Sequence, residues 1–385
     1  MPRRWRAGGG GGGGDSLAGV GSGGTGSFAS GPIRGSGPII VGGVRYDDSA
    51  ARIATDAGAT ASSADLRLGM MVEVNGGDIA TDALTGQRRA AASTISVRSE
   101  VEGPIQSIDL ASGTLAVLGQ QVRVTPTTVF DDDLRGGLAS LHVGQVVEIY
   151  GLLTAAGQYT ATRIDDEDDA RHYKLRGPVS GLDTTARTLR IGTATVSYAG
   201  LGTPPAGLAN GQYARVELAL TPSPTGVWTA TRLQTTPTGT GSLPTTGRMN
   251  AELEGYITAF TSSTRFAVNG VDVDAGSTAR LPAGLALGRR VEVEGMLVNG
   301  TLVAHEVELE DDNDRDDDGL EIEGRITSVA AGSFVVRGVT VGYNAATRFK
   351  DGTPAQLTVG VKVEVQGNLS PDGATLLATE IEFDD

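Results

Sequence analysis

Residues 288–294 read Gly-Arg-Arg-Val-Glu-Val-Glu, and the alternation in this stretch indicates the fold class of the whole chain. Successive side chains of an extended strand point to opposite faces, so the two valines share one face and the two glutamates the other. One face is therefore expected to be buried and the other solvated, as in an antiparallel sheet. Four further stretches follow a similar pattern, each opening on a glycine: Gly69, Gly144, Gly211 and Gly360.

A second motif, a glycine with an aliphatic residue two positions later, precedes each of these strands. The opening glycines are spaced 69 to 78 residues apart: Gly31, Gly103, Gly177, Gly255 and Gly324. A third motif of the type Ala-Thr-x-Ile closes most copies, as at 161–164 and 378–381. An unbroken period of this size indicates a tandem array of one small structural unit.

The repeats divide the chain into five predicted modules. Their expected bounds are a disordered Gly/Ser-rich tail, 1–30; module 1, 31–100; module 2, 101–170; module 3, 174–237; a linker, 238–250; module 4, 251–310; an acidic linker, 311–319; and module 5, 320–385. The tail contains seven consecutive glycines, 8–14, and cannot bury enough apolar surface to offset the entropy of ordering it. The acidic run 165–169 is interpreted as a charged spacer between modules 2 and 3.

Turn signals predict antiparallel hairpins inside the modules. Asn269-Gly270 and Asn299-Gly300 each separate two short apolar runs, and Asn-Gly favours the positive φ angles of a two-residue hairpin turn. The opening glycines lie inside strand patterns, where glycine marks a bulge or a sharp bend. We therefore predict an all-β chain: a tandem array of five small antiparallel β-barrels similar to the oligonucleotide/oligosaccharide-binding (OB) fold. A short open sandwich is the alternative, and a parallel solenoid is less favoured.

Composition restricts the classes of function. The chain has 46 acidic and 31 basic residues, a net charge of −15, which opposes binding to phosphate backbones. It has no cysteine, so disulfides and thiol chemistry are excluded. No apolar run approaches the roughly 20 residues that span a bilayer. The basic start, 1–6, is not followed by the apolar segment of a signal peptide.

The repeats resemble a bacterial family known as domain of unknown function 5666 (DUF5666). The resemblance rests on 19–26, on Ile39 to Asp47, and on the Val-Glu-Val frames at 291–293 and 363–365 that precede an Ala-Thr-x-Ile motif. It is closest in modules 2, 4 and 5 and weaker in module 3, which has Ala214-Arg215-Val216 at the frame.

Membership of that family implies small β-barrel-like domains in secreted or lipid-anchored envelope proteins, with no known activity. Such proteins typically begin with a signal peptide that ends in a lipid-bearing cysteine before a glycine run. Because this chain has the glycine run without the apolar segment or that cysteine, we expect its true start to lie upstream or in a shifted reading frame. The resemblance therefore implies an extracytoplasmic location, in the periplasm or outer envelope.

The acidic linker contains the strongest metal-binding signal. Asp314, Asp316 and Asp318 alternate before Gly319, as the first ligands of a calcium loop do. A complete loop would end in a bidentate glutamate, but Arg325 stands there, so Glu321 and Glu323 are the candidate substitutes. Calcium is the one candidate cofactor. The simpler interpretation is a solvated acidic spacer, and the partial match favours it.

Other candidate sites are weaker. The three histidines, His142, His172 and His305, occupy unrelated repeat positions, whereas zinc needs several converging ligands. Nucleic acid would need a positive groove lined by stacking aromatics, and no repeated position supplies them. Four aromatics are candidates for an exposed carbohydrate-binding face: Tyr150, Tyr159, Trp228 and Tyr256.

The sequence therefore predicts a non-enzymatic structural or binding protein of the bacterial cell envelope, with an envelope protein or a glycan as partner. A carbohydrate-binding or carbohydrate-active protein is the main alternative. An enzyme of that kind needs two carboxylates across one pocket, and strand glutamates such as Glu292 and Glu364 are available. However, these glutamates recur from module to module, which suits a solvated face better than one active site. A single-strand nucleic-acid binder is the second alternative, disfavoured by the charge.

Overall fold

The computed structural model describes residues 26–55, 58–154, 157–236, 243–311 and 319–384. These residues form 31 strands and three short 3₁₀ turns, with no α-helix among them. The 3₁₀ turns are Ser63–Asp65, Gly137–Ser140 and Pro354–Gln356. In the same residues no helix is long and apolar enough to cross a membrane.

The strands are numbered in chain order and grouped by predicted module. Module 1 contains β1 (Ser27–Pro32), β2 (Gly35–Ser36), β3 (Ile39–Val41), β4 (Val44–Asp47), β5 (Arg52–Thr55), β6 (Thr60–Ala61), β7 (Met71–Gly76), β8 (Ala80–Thr81) and β9 (Arg88–Arg98). Module 2 contains β10 (Val101–Asp109), β11 (Thr114–Val117), β12 (Gln120–Arg123), β13 (Val129–Phe130), β14 (Val146–Leu153) and β15 (Tyr159–Asp166).

Modules 3 to 5 complete the order. Module 3 contains β16 (Tyr173–Asp183), β17 (Thr188–Ile191), β18 (Ala194–Ser197), β19 (Tyr213–Leu218) and β20 (Trp228–Thr236). Module 4 contains β21 (Arg248–Ser262), β22 (Arg265–Val268), β23 (Val271–Asp274), β24 (Arg290–Val298) and β25 (Thr301–Glu310). Module 5 contains β26 (Leu320–Ala330), β27 (Ser333–Val336), β28 (Val339–Gly342), β29 (Arg348–Lys350), β30 (Lys362–Leu369) and β31 (Leu376–Asp384).

Module 2 is a closed five-stranded barrel. Its first strand, β10, pairs antiparallel with β11 on one side and β14 on the other. The circuit continues through the antiparallel pair β11–β12, the parallel pair β12–β15 and the antiparallel pair β14–β15. Closure removes the free edges that would otherwise attract another strand. The predicted all-β class and the small closed barrel are confirmed.

The same set of ladders recurs along the chain. In modules 3, 4 and 5 the first strand pairs with the second and with the next-to-last, and the third pairs parallel with the last. The predicted Asn-Gly hairpins are present: Asn269 and Gly270 have φ of 50° and 77°, and they join β22 to β23.

The opening glycine allows the first strand to bend across the barrel. In module 2 a Cβ on Gly103 would lie 2.6 Å from the Leu118 side chain, which occupies that space. The register of the β10–β11 ladder shifts between Ile105 and Ser107, just after this glycine. A bulge of this kind bends a strand at a barrel corner, so the first strand can pair with two different neighbours.

The apolar cores of the modules are not isolated from one another. One continuous cluster of buried side chains runs through modules 2 and 3, from Val101 to Leu233. The core of module 1 includes Tyr150 from module 2, Tyr256 from module 4 and Leu369 from module 5. The modules therefore pack against one another through shared apolar cores.

Strands near the start of each module also pair with strands of other modules. β1 runs parallel to β21 of module 4, β2 runs parallel to β26 of module 5, and β10 pairs antiparallel with β16 of module 3. These ladders bring the outer faces of different barrels together, and they position the charged side chains described below.

Three predicted bounds need correction. The tail was expected to extend to residue 30, but Ser27–Ser30 belong to β1 and are buried, with Phe28 1% exposed in the core of module 4. The linker 238–250 includes the first residues of β21, which begins at Arg248. The acidic run 165–169 begins inside β15, where Asp165 is buried. Ser27–Ser30 are ordered by β21 of the distant module 4, whereas Arg248 and Asp165 pair with strands of their own modules.

Candidate functional site

The predicted calcium ligands are only partly within the described residues. Asp314, Asp316 and Asp318 lie outside them. Glu321 is 8% exposed and forms an ion pair with Arg45 of module 1. Burial raises the pKa of the Glu321 carboxyl to about 7, although Arg45 opposes this change. Glu323 forms an ion pair with Lys362, with 2.5 Å between Oε1 and Nζ. Both glutamates thus already have a basic partner.

The densest group of acidic side chains lies instead on the outer face of module 4. We call it the glutamate face, and its members are Glu252, Glu254, Glu292, Glu294, Glu306, Glu308 and Glu310. They alternate with buried apolar residues such as Val291 and Val293, which are 0% exposed. Strand register places Glu292 opposite both Glu254 and Glu308. Like charges directly opposite each other destabilise a sheet unless cations offset them.

Arginines from module 1 cover this face. Arg34 Nη2 lies 3.1 Å from Glu254 Oε1 and 2.9 Å from Glu310 Oε2. Arg88 bridges Glu252 and Glu294. The face was predicted to be solvated, and that prediction is wrong for Glu252 and Glu254, which are 2% and 1% exposed. The cause is the β1–β21 ladder, which lays module 1 over module 4.

Glu254 is the best compensated member of the glutamate face. Its side chain is fully buried, and it contacts Arg34 and Arg290 together. Burial alone favours the neutral acid, but the two guanidinium groups outweigh it and lower the pKa of Glu254. This carboxylate is therefore a fixed negative charge that holds module 1 against module 4.

Glu252 and Glu292 are compensated poorly. Burial raises the pKa of Glu252 to about 8, with Arg88 opposing and Glu294 reinforcing the shift. The Oε2 atom of Glu252 is buried and has no hydrogen-bond partner. Glu292 is partly buried, and no ion pair or hydrogen bond reaches it from the described residues. Burial and the charges of Glu254, Glu252 and Glu310 raise the pKa of Glu292 well above its usual range.

Two overlapping groups on this face could hold a metal ion. Glu252, Glu292 and Glu294 offer ligand atoms that all lie within 4.8 Å of one another. Glu294, His305 and Glu306 form a second such group. His305 was expected to be an isolated exposed residue; it is 64% exposed, and its Nδ1 lies 4.0 Å from Glu294 Oε2. Neither group was identified from the sequence. Their members lie on different strands, and the spacing of the repeats does not reveal how those strands are aligned.

A second charged contact joins modules 2 and 3. Lys174 Nζ lies 2.8 Å from Glu102 Oε2 and 2.6 Å from Glu148 Oε1. Burial favours the neutral form of Glu148, but Lys174 and neighbouring hydroxyls lower its pKa. This contact resembles the one between modules 1 and 4, in that a cation from one module is held by carboxylates of another.

An acidic cleft of about 400 Å³ lies between modules 1, 2 and 5. Asp131, Asp132 and Asp165 are among the residues that line it, and burial raises the pKa of Asp165 to about 6. Arg163 Nε lies 2.6 Å from Asp165 Oδ1, so this carboxylate already has an intramolecular partner.

The aromatic residues considered for a carbohydrate face are buried. Tyr150 and Tyr256 are each 4% exposed, Tyr159 is 0% and Trp228 is 8% exposed. They do not form the exposed stacking surface considered from the sequence, because they pack within and between the barrels. Tyr256, for example, lies within hydrogen-bond distance of Thr160 of module 2, 2.9 Å between their hydroxyl oxygens.

Comparison with known families agrees with the repeat pattern. Residues 102–165, 254–308 and 323–382 match the family described as Domain of unknown function (DUF5666). These are modules 2, 4 and 5, the three in which the resemblance was predicted to be closest. The chain has no match among curated proteins. Each of the three segments that match the DUF5666 family contains a Val-Glu-Val or Val-Glu-Ile frame.

Proposed function

We propose that the chain is a non-enzymatic structural or binding protein of the bacterial cell envelope, built as an array of five OB-like modules. The observation that carries this proposal is the use of the glutamate face. Small barrels of this type bind ligands across one outer face, and in module 4 that face holds Arg34 and Arg88 of module 1. Its charged side chains thus join modules together.

Two further observations favour a scaffold. The outward frame residue Glu148 of module 2 binds Lys174 of module 3, so a second barrel face is used in the same way. The net charge of −15 opposes a nucleic-acid partner. An envelope protein or a glycan is the partner class we propose, located in the periplasm or outer envelope.

The scaffold proposal is tested by loosening the contact. Replacing Arg34 and Arg88 together by glutamate should separate module 1 from module 4, and small-angle X-ray scattering should then show a larger radius of gyration. Arg265→Glu is the matched control, because the Arg265 side chain is 69% exposed and its partner Asp274 lies in the same module. Unchanged scattering from the double variant would contradict the role we assign to this face.

Location and activity need a separate experiment. The gene with its upstream region should be expressed in a bacterium, and the protein located by cell fractionation and by its sensitivity to externally added protease. We expect it in the envelope fraction. Recovery in the cytoplasm, or hydrolysis of envelope glycans by the purified protein, would refute the proposal.

The proposal includes a calcium-stiffened joint at 311–319. Because Arg45 and Lys362 already bind Glu321 and Glu323, we assign the main role there to Asp314, Asp316 and Asp318. Millimolar calcium should raise the melting temperature relative to EDTA, since a ligand that binds only the folded state stabilises it. If calcium raises the melting temperature of the Asp314→Ala/Asp316→Ala variant by the same amount, the proposed joint is refuted.

A further inference from the structure

The frame glutamate of the Val-Glu-Val motif has a cation partner in three modules but not in module 4. Glu73 pairs with Arg98, Glu148 with Lys174, and Glu364 Oε1 lies 3.3 Å from Arg45 Nη2. The equivalent residue of module 4 is Glu292, which within the described ranges has no ion pair or hydrogen bond. The repeat thus allows a direct comparison of four carboxylates at one position, of which only Glu292 forms no ion pair within the described residues.

The neighbours of Glu292 leave several oxygens unused. Arg88 binds Oε1 of Glu252 and Oε1 of Glu294. Glu252 Oε2 remains buried without a hydrogen bond, in a residue that is only 2% exposed. A buried carboxylate oxygen without a partner is costly, and its presence points to a ligand. With Glu294 Oε2 and both oxygens of Glu292, four carboxylate oxygens are available.

We propose that Glu252, Glu292 and Glu294 bind a hard divalent cation, Ca²⁺, at the interface of modules 1 and 4. The geometry suits this ion, because calcium–oxygen distances of 2.3–2.6 Å place opposite ligands up to about 5 Å apart. The ligand atoms of the three glutamates lie within 4.8 Å of one another. Calcium also accepts flexible coordination by carboxylate oxygens, whereas Mg²⁺ demands a near-ideal octahedron and usually keeps several waters.

Module 1 closes the site from above. A Cβ on Gly42 would lie 3.7 Å from Glu292 Oε1, so the Gly42-Gly43 turn covers this carboxylate without filling the space beside it. Arg34 and Arg290 are held by Glu254. Arg88, the cation that does contact the group, supplies one positive charge beside three carboxyl groups. A divalent ion would supply further positive charge and stabilise the interface, independently of the 311–319 joint.

Tyr46 provides a spectroscopic probe. It is fully buried, and burial together with the nearby Glu252 charge raises its pKa to about 12, although Ser27 opposes the change. A terbium ion that replaces calcium beside Glu252 should therefore be excited through a tyrosine ring. The experiment titrates Tb³⁺ into the full chain with excitation of tyrosine, and then displaces it with Ca²⁺, with calorimetry of Ca²⁺ alone in parallel.

We expect a saturable terbium signal that calcium reverses, with calcium affinity at least tenfold weaker in Glu292→Gln. The matched control is Glu308→Gln, which removes an exposed carboxylate from the strand next to Glu292 and should leave affinity unchanged. Tyr46→Phe should keep calcium binding and weaken the emission. Asp314→Ala/Asp316→Ala should keep both, which separates this site from the proposed joint.

Proton competition is a further readout. Because protons compete with calcium for carboxylate oxygens, calcium affinity should increase between pH 6 and pH 8.5. Glu292→Gln removes a repelled carboxylate and should fold as well as the parent; Glu294→Gln is the second variant if it does not. Absence of calcium binding, equal affinity in Glu292→Gln, or an equal loss in Glu308→Gln would each overturn the assignment.

Discussion

Replacing Arg88 by alanine tests whether the glutamate face joins modules 1 and 4. Arg88 bridges Glu252 and Glu294, and the Glu252 side chain is 2% exposed whereas that of Arg88 is 23% exposed. Removing one partner of a buried ion pair leaves an uncompensated charge, which costs about 3–5 kcal/mol. Because both guanidinium contacts are lost at once, we expect about 3 kcal/mol of destabilisation at pH 9.

The magnitude should depend on pH. The pKa of Glu252 is raised to about 8, so this residue is mainly charged at pH 9 and mainly protonated at pH 6. A neutral Glu252 loses little when Arg88 is removed. Differential scanning calorimetry should therefore show a melting temperature lower by roughly 6–12 °C at pH 9 for a unit of 150–250 residues, and a clearly smaller change at pH 6.

Two further variants make this prediction specific. Arg265→Ala removes an exposed pair inside module 4 and should cost under about 1 kcal/mol at either pH. Arg88→Ala combined with Glu252→Gln removes the stranded charge and should recover most of the stability, as a double-mutant cycle measures. The reasoning is refuted if Arg88→Ala behaves like Arg265→Ala, or if its effect is the same at pH 6 and pH 9.

Three other predictions concern the fold. Phe28→Ala should destabilise by about 3–5 kcal/mol in chemical denaturation, since this ring is 1% exposed in the core of module 4, whereas Phe260→Ala, at 36% exposure, should cost much less. Gly103→Ala should lower the free energy of unfolding by about 1–3 kcal/mol, because its Cβ would meet the Leu118 side chain. Adding Leu118→Ala to the same chain should relieve part of that loss. If the losses of the two substitutions simply add, the contact is contradicted. The parent protein should lose stability as pH rises from about 4.5 to 8, because the raised pKa of Glu252 means that the folded state binds more protons than the unfolded state over this range. A urea midpoint that increases from pH 5 to pH 8 would contradict this sign.

Local patterns predicted the barrel but not the contacts between barrels. The alternation at 291–294, the Asn269-Gly270 turn and the opening glycines all act through neighbours within one module, and the structure contains each predicted feature. The ion pairs that join module 1 to module 4 link residues 164 to 276 positions apart, as for Arg88 with Glu252 and Arg34 with Glu310. A polar residue on a strand face has the same local pattern whether water or another barrel covers it, so the glutamates were expected to be solvated.

Module 3 shows how the frame position changes with the contact it makes. There Arg215 replaces the frame glutamate, and it pairs within its own strand with Glu217, 3.3 Å from Nη2 to Oε1. Leu218 replaces the glycine that Gly151 and Gly295 provide at the corresponding bulge. Gly151 has no space for a side chain, since its Cβ would lie 2.4 Å from a backbone oxygen, so module 3 must follow a different path there.

The charge of the frame residue is therefore related to the charge of the side chain beside it. In modules 1, 2 and 5 the frame residue is glutamate, and its charge is offset by Arg98, Lys174 and Arg45, respectively. Where it is arginine, the same strand supplies the acid. Only Glu292, among the described frame residues, has neither arrangement. A buried carboxylate must be protonated or compensated by a cation. The contribution of Glu292 to the free energy of unfolding should therefore depend on pH and on calcium. The contributions of the other four frame residues should depend less on either.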